Sequence, residues 1–123
     1  MKVVSTEKAP KAIGPYSQAV VVNNIVYTSG QIPLCPLNGC VVGKEISAQT
    51  EQVCKNLIAV LEGAGSSISK VIKTSCFLDD INDFQGFNDV YSKYFVSKPA
   101  RSCVAVKDLP KGVKVEIEVI AEI

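Results

Sequence analysis

The sequence contains no histidine and no tryptophan. The first absence excludes the most chemistry: without imidazole there is no Ser-His or Cys-His pair, no His-Asp relay and no histidine metal ligand. Proton transfer then falls to carboxylates, thiols, lysine, tyrosine or held water. An excess of one charge is missing too. Thirteen Lys and Arg face twelve Asp and Glu, a formal charge of +1, which gives no overall field to draw the protein to nucleic acid or an anionic membrane. No apolar run approaches the roughly 18 residues of a membrane-spanning helix, and the N-terminal MKVVSTEKAPKAIG lacks the apolar centre of a signal peptide. The expectation is a cytoplasmic protein with no membrane partner.

What is present is one domain's worth of chain, 123 residues with 47% hydrophobic and 20% charged side chains. No low-complexity stretch, charge run or fixed-period repeat divides it, so residues 1–123 are read as a single domain. The five cysteines, Cys35, Cys40, Cys54, Cys76 and Cys103, are odd in number and irregular in spacing, which favours reduced thiols. A zinc site needs four ligands, and Cys54 and Cys76 fall inside apolar-periodic segments, so separate thiols are favoured over metal.

Residues 17–30, SQAVVVNNIVYTSG, are two β-branched runs around Asn23-Asn24, a dipeptide that tolerates positive φ, and read as a hairpin. Pro33, Pro36, Gly39 and Gly43 make 31–46 a loop. From Ser47 to Ala64 the apolar residues recur at helical spacing, with Ser47 as the expected N-cap and Gly65 as the stop. Residues 70–78 read as a strand and 83–95 as a second helix, with Phe84, Phe87, Tyr91, Tyr94 and Phe95 on one side and Pro99 closing it. Residues 101–107 and the alternating 113–119 read as a second hairpin around the 108–112 turn, with one further short strand near Val3-Val4. This order predicts an α/β (α+β) fold, a single mixed sheet with two helices on one face. Neither 17–28 nor 70–78 alternates cleanly, so the other face is expected to be apolar and covered in a homo-oligomer.

Three clusters combine turn-forming backbone with reactive side chains: residues 13–18 (IGPYSQ), 28–33 (TSGQIP) and 99–104 (PARSCV). Arg101 follows a proline and carries a planar fork suited to a carboxylate or phosphate, with a surface ion pair as the alternative. Cys103 and Ala105 share its strand face. With no base in view, Cys103 reads as a small strand residue rather than a nucleophile. Glu116 and Glu118 share the charged face of the last strand, where acid–base work competes with plain solvation; solvation is the better reading for Glu118.

Taken together, AIGPYSQAV, YTSGQIP, NDFQGFNDVYSKYF, PARSCV and LPKGVKVEIEVIA, in this order and spacing, resemble the reactive-intermediate deaminase family (RidA, also called YjgF) over residues 5–121. The resemblance implies a chorismate-mutase-like subunit in a homotrimer, with a central barrel and active sites between subunits. It implies hydrolysis of enamine and imine acids such as 2-aminoacrylate, 2-iminopropanoate and 2-iminobutanoate to 2-oxo acids and ammonia, without cofactor or metal. By position, Arg101 would clamp the substrate carboxylate, the backbone of Cys103 would contact its nitrogen side and Glu116 would orient water. Tyr16, Ser29 and Asn88 match the remaining site positions, and Gly30 shapes the pocket wall. Lys98 stands where the family usually has a phenylalanine before Pro-Ala-Arg. An RNA-directed role and a non-catalytic chaperone-like role are the competing readings; the near-neutral charge and the lack of a basic-aromatic stripe argue against RNA.

Overall fold

In the computed structural model, which describes residues 1–123, the chain runs β1 (Lys2–Val4), β2 (Ala19–Val22), β3 (Ile25–Thr28), α1 (Ile46–Gly63), β4 (Val71–Leu78), α2 (Phe84–Tyr94), β5 (Ala100–Ala105) and β6 (Val115–Glu122). Short 3-10 turns occupy Ile68–Lys70, Ile81–Asp83 and Pro110–Gly112. Asn23 and Asn24 both have positive φ, 50° and 63°, the geometry of the tight turn whose twist matches a β2–β3 hairpin. Val22 pairs with Ile25 on either side of it. No helix is long and apolar enough to cross a membrane.

The six strands form one mixed sheet in the order β1-β2-β3-β6-β4-β5, and this corrects the expected second hairpin. β5 runs parallel to β4, with Arg101 opposite Thr74 and Cys103 opposite Cys76. β6 lies instead between β3 and β4, antiparallel to both. The physical reason lies in the connections. α2 carries the chain over from β4 to a parallel β5 at the edge. Residues 106–114 then form a long connection rather than a tight turn, and β6 can pass to the centre. There its buried row Val115, Ile117, Val119 and Ala121 receives strand neighbours on both sides.

Both helices pack on this buried face, where Val53, Leu57, Val60 and Leu61 of α1 and Phe87 and Tyr91 of α2 join one apolar cluster. The N-cap of α1 is Glu45, which makes no side-chain cap; Ser47 falls inside the first turn, two residues too late for the role expected of it. At the other end Gly65 acts as anticipated. Its φ of 84° lets Gly65 N–H bond Glu62 O at 3.0 Å and Ser66 N–H bond Leu61 O at 2.8 Å, a Schellman closure. α2 ends at Tyr94 because Phe95 leaves helical geometry (φ −95°, ψ 60°), so Pro99 lies beyond the break rather than causing it.

The opposite face carries Val3, Val20, Tyr27 and Ile120 in one cross-strand row, with Phe77 and Val104 in another. No helix covers them. The irregular patterning of 70–78 has a second source besides this apolar face: the register between β4 and β6 slips between Val71 and Lys73. Ile72 is the extra residue of a bulge, and it resets which side chains face the helices.

Candidate active site

Arg101 lies on the helix-covered face, because its pairing partner Thr74 is fully buried there and Thr74 in turn pairs with buried Val119. Its Nη1 donates to Asn88 Oδ1 of α2 at 2.7 Å. The guanidinium carbon sits 4.7 Å from the ring centre of Tyr91 and 5.5 Å from that of Phe84. Tyr91 is itself fixed by a 2.8 Å hydroxyl contact with Thr74 Oγ1 and by stacking on Phe95. The surface ion-pair alternative does not hold, since the one salt bridge of the chain joins Lys114 to Asp83. Arg101 is therefore a half-buried cation set against aromatic faces and a neutral amide, with no carboxylate to balance it. Its remaining N–H groups can take an anion.

Cys103, two residues along the same strand face, packs half-buried against the core. Burial raises its thiol pKa and the Arg101 charge only partly opposes this, so the sulfur stays protonated and is a poor nucleophile. β5 is an edge strand bonded on one side only, which leaves its other backbone edge open to a second molecule.

The other predicted residues meet elsewhere. Tyr16, Ser29, Gly30, Glu116 and Glu118 line a cleft of about 850 Å³. Beyond Tyr27 the β3 chain parts from β6. Thr28 Oγ1 accepts the Val119 amide at 3.0 Å in place of a backbone carbonyl, and pairing resumes only where Gln31 and Ile117 exchange two backbone bonds. Ser29 and Gly30 thus sit outside the ladder, on the cleft wall. The Ser29 hydroxyl donates to Ser17 O, which turns its oxygen lone pairs to other uses. A Cβ on Gly30 would overlap the Glu116 carboxylate, so glycine is what allows the carboxylate its place. Burial, and secondarily the Glu118 charge, raise the Glu116 pKa.

Glu116 pairs with Phe77, and Phe77 with Val104, in the uncovered face, while Arg101 belongs to the covered one. One chain therefore assembles two groups, Arg101–Asn88–Cys103 and Tyr16–Ser29–Gly30–Glu116, on opposite sides of the sheet, and does not bring them together. Sequence reasoning missed the Tyr91 and Phe84 bed of Arg101, because both read as part of an apolar helix stripe. It also missed Gln49 and Asn56 and gave Gln18, although part of the 13–18 cluster, no role; these buried amides hold loops in place: Asn56 Nδ2 donates to Ile32 O and Leu34 O at 3.2 and 3.0 Å, and Gln18 Nε2 to Pro10 O at 2.8 Å. The signal was available, since an amide among apolar helix or strand positions needs partners.

Residues 6–123 match the family model described as Endoribonuclease L-PSP. AldR of Lactococcus lactis is 57% identical over 124 residues, covering 100% of this chain and 98% of the relative. The 2-iminobutanoate/2-iminopropanoate deaminase of Salmonella typhimurium is 47% identical, covering 98% and 96%. The crystal structure of Escherichia coli TdcF with bound serine superposes with a TM-score of 0.95 at 42% identity, covering 100% of this chain and 99% of that one. The chain belongs to this family, the one that includes the RidA/YjgF deaminases.

Proposed function

We propose that this protein hydrolyses short-lived enamine and imine acids to 2-oxo acids and ammonia, at sites built between the subunits of a homotrimer. The observation that carries the reading is Arg101, an oriented guanidinium without a carboxylate partner, on the sheet face opposite the Glu116 cleft. A small acid held by the free N–H groups of Arg101 needs a second copy to supply a cleft. The apolar row Val3, Val20, Tyr27 and Ile120 offers a surface for that contact.

An iminium carbon is already electrophilic, so holding the carboxylate and placing a water beside the carbon lowers the barrier. In this arrangement Arg101 grips the carboxylate, Tyr16 and Ser29 line the pocket and Glu116 orients and deprotonates water. A raised carboxylate pKa suits that last role by bringing it toward the operating pH. Water adds to the carbon, the proton passes to nitrogen, and ammonia leaves as the carbonyl forms. The cleft does not favour RNA, since the charges of Lys11 and Lys111 are offset there by Glu116 and Glu118 and leave no net positive lining to hold phosphate. The similarity to a Salmonella deaminase and to a relative that holds serine, a small amino acid, supports a small acid as substrate. The test couples a threonine dehydratase to this protein: 2-oxobutanoate should appear faster with it than without. An unchanged time course across protein concentrations would refute the reading.

A further inference from the structure

The loop that walls the cleft holds two cysteines outside the proposed mechanism. Leu34 and Val41 form an antiparallel bridge, which places Cys35 and Cys40 directly opposite one another as the next pair. Cys35 N–H donates to Cys40 O at 2.8 Å and Gly39 N–H to Cys35 O at 2.8 Å, with Gly39 at φ 72°. The turn is further fixed by the Cys40 amide on Asn38 Oδ1 at 2.9 Å. Cys35 and Cys40 thus occupy a hydrogen-bonded position of the ribbon and make one of its two bonds; members of such a pair stand about 5.5 Å apart at Cα with both Cβ atoms on one side. That lies inside the roughly 4.4–6.8 Å span of disulfides.

We infer that Cys35 and Cys40 are a reversible disulfide site, a redox staple across the base of the cleft loop. Cys35, on the cleft wall, is partly accessible and Cys40 is exposed, so Cys40 meets the oxidant first. The oxidant class is a low-molecular-weight disulfide. The Cys40 thiolate attacks one of its sulfurs, forming a mixed disulfide and expelling one thiolate. Cys35, losing its proton, then attacks the Cys40 sulfur, forms the internal bond and expels the second thiolate. Two electrons pass from the cysteines to the reagent, which leaves as two thiols carrying the two protons. The other three thiols do not compete. Cys54 and Cys76 are buried, and Cys103 is half-buried on the core side of β5.

The test needs no substrate, so its outcome is independent of the deaminase reading. After equilibration with oxidised glutathione, the titratable thiols of the unfolded protein should fall from five to three. The tryptic peptide spanning 12–44 should lose two hydrogens and gain no glutathione. Dithiothreitol should restore both values. Amide exchange at Gly39 and Cys40 should slow in the oxidised form, and Cys40→Ser should show no internal bond. Retention of all five thiols, glutathione left on Cys40 with Cys35 free, a bond from either residue to a third cysteine, or unchanged amide exchange in the oxidised form would overturn the proposal.

Discussion

The two faces of the sheet treat their charged residues in opposite ways. On the covered face Arg101 is built in: Asn88 accepts from it, Tyr91 and Phe84 flank it, and Thr74 fixes Tyr91. On the uncovered face Glu116 stands against a glycine in an open cleft, acted on by burial and by a like charge. The difference suits the two tasks proposed for these residues. A clamp must be held in one orientation before its ligand arrives, whereas a group that exchanges a proton must change charge without breaking its surroundings.

The largest effect should come from breaking the rigid half. Arg101→Ala is expected to lower kcat/KM for 2-iminobutanoate by about 30-fold to several-thousand-fold, roughly 2–5 kcal/mol. Arg101→Lys should recover little, because a point charge on a flexible stem does not reproduce the fork; circular dichroism should match the parent for both. Gly30→Ala comes next. Its Cβ displaces the Glu116 carboxylate, and a misplacement on the order of 1 Å costs about 100-fold in rate, so kcat should fall while sedimentation stays unchanged.

A sharper comparison uses pH. If ionised Glu116 is the base, kcat/KM rises as pH climbs through its raised pKa. Glu118→Gln removes the like charge and should move that limb to lower pH, while Glu116→Gln should abolish it. The linkage has the opposite sign: a carboxyl whose folded pKa lies above the unfolded value favours folding while protonated, and this contribution fades as pH rises through the folded pKa. The smallest effect is expected from Cys103→Ser. Burial holds this thiol protonated, so kcat/KM should stay within about 100-fold of the parent, and a greater loss would restore covalent catalysis.

Much of this arrangement is legible in the sequence at the level of faces and turns. The Asn23-Asn24 hairpin follows from residues that accept positive φ, and residues 113–119 announce a buried and a charged face by strict alternation. Alternation does not say which strand lies alongside, which is why β5 and β6 read as a hairpin although β4 separates them. The same gap hides the division of the site. Arg101 and Glu116 are recognisable as candidates by chemistry, but the parallel β4–β5 register decides that Arg101 shares a face with Thr74, and that register depends on α2 packing across the sheet. The Ile72 bulge leaves no mark in the sequence distinct from apolar patterning.

The central claim, that each site takes its clamp from one copy and its carboxylate from another, is tested by mixing impaired subunits. Arg101→Ala and Glu116→Gln chains, each expected to be impaired alone, are unfolded together in equal amounts, refolded and assayed on 2-iminobutanoate. Random assembly with sites between copies gives an intact Arg101–Glu116 pair at roughly a quarter of the sites, and the account predicts activity near that fraction of the parent's. Activity no greater than the sum of the two variants refolded separately would contradict it.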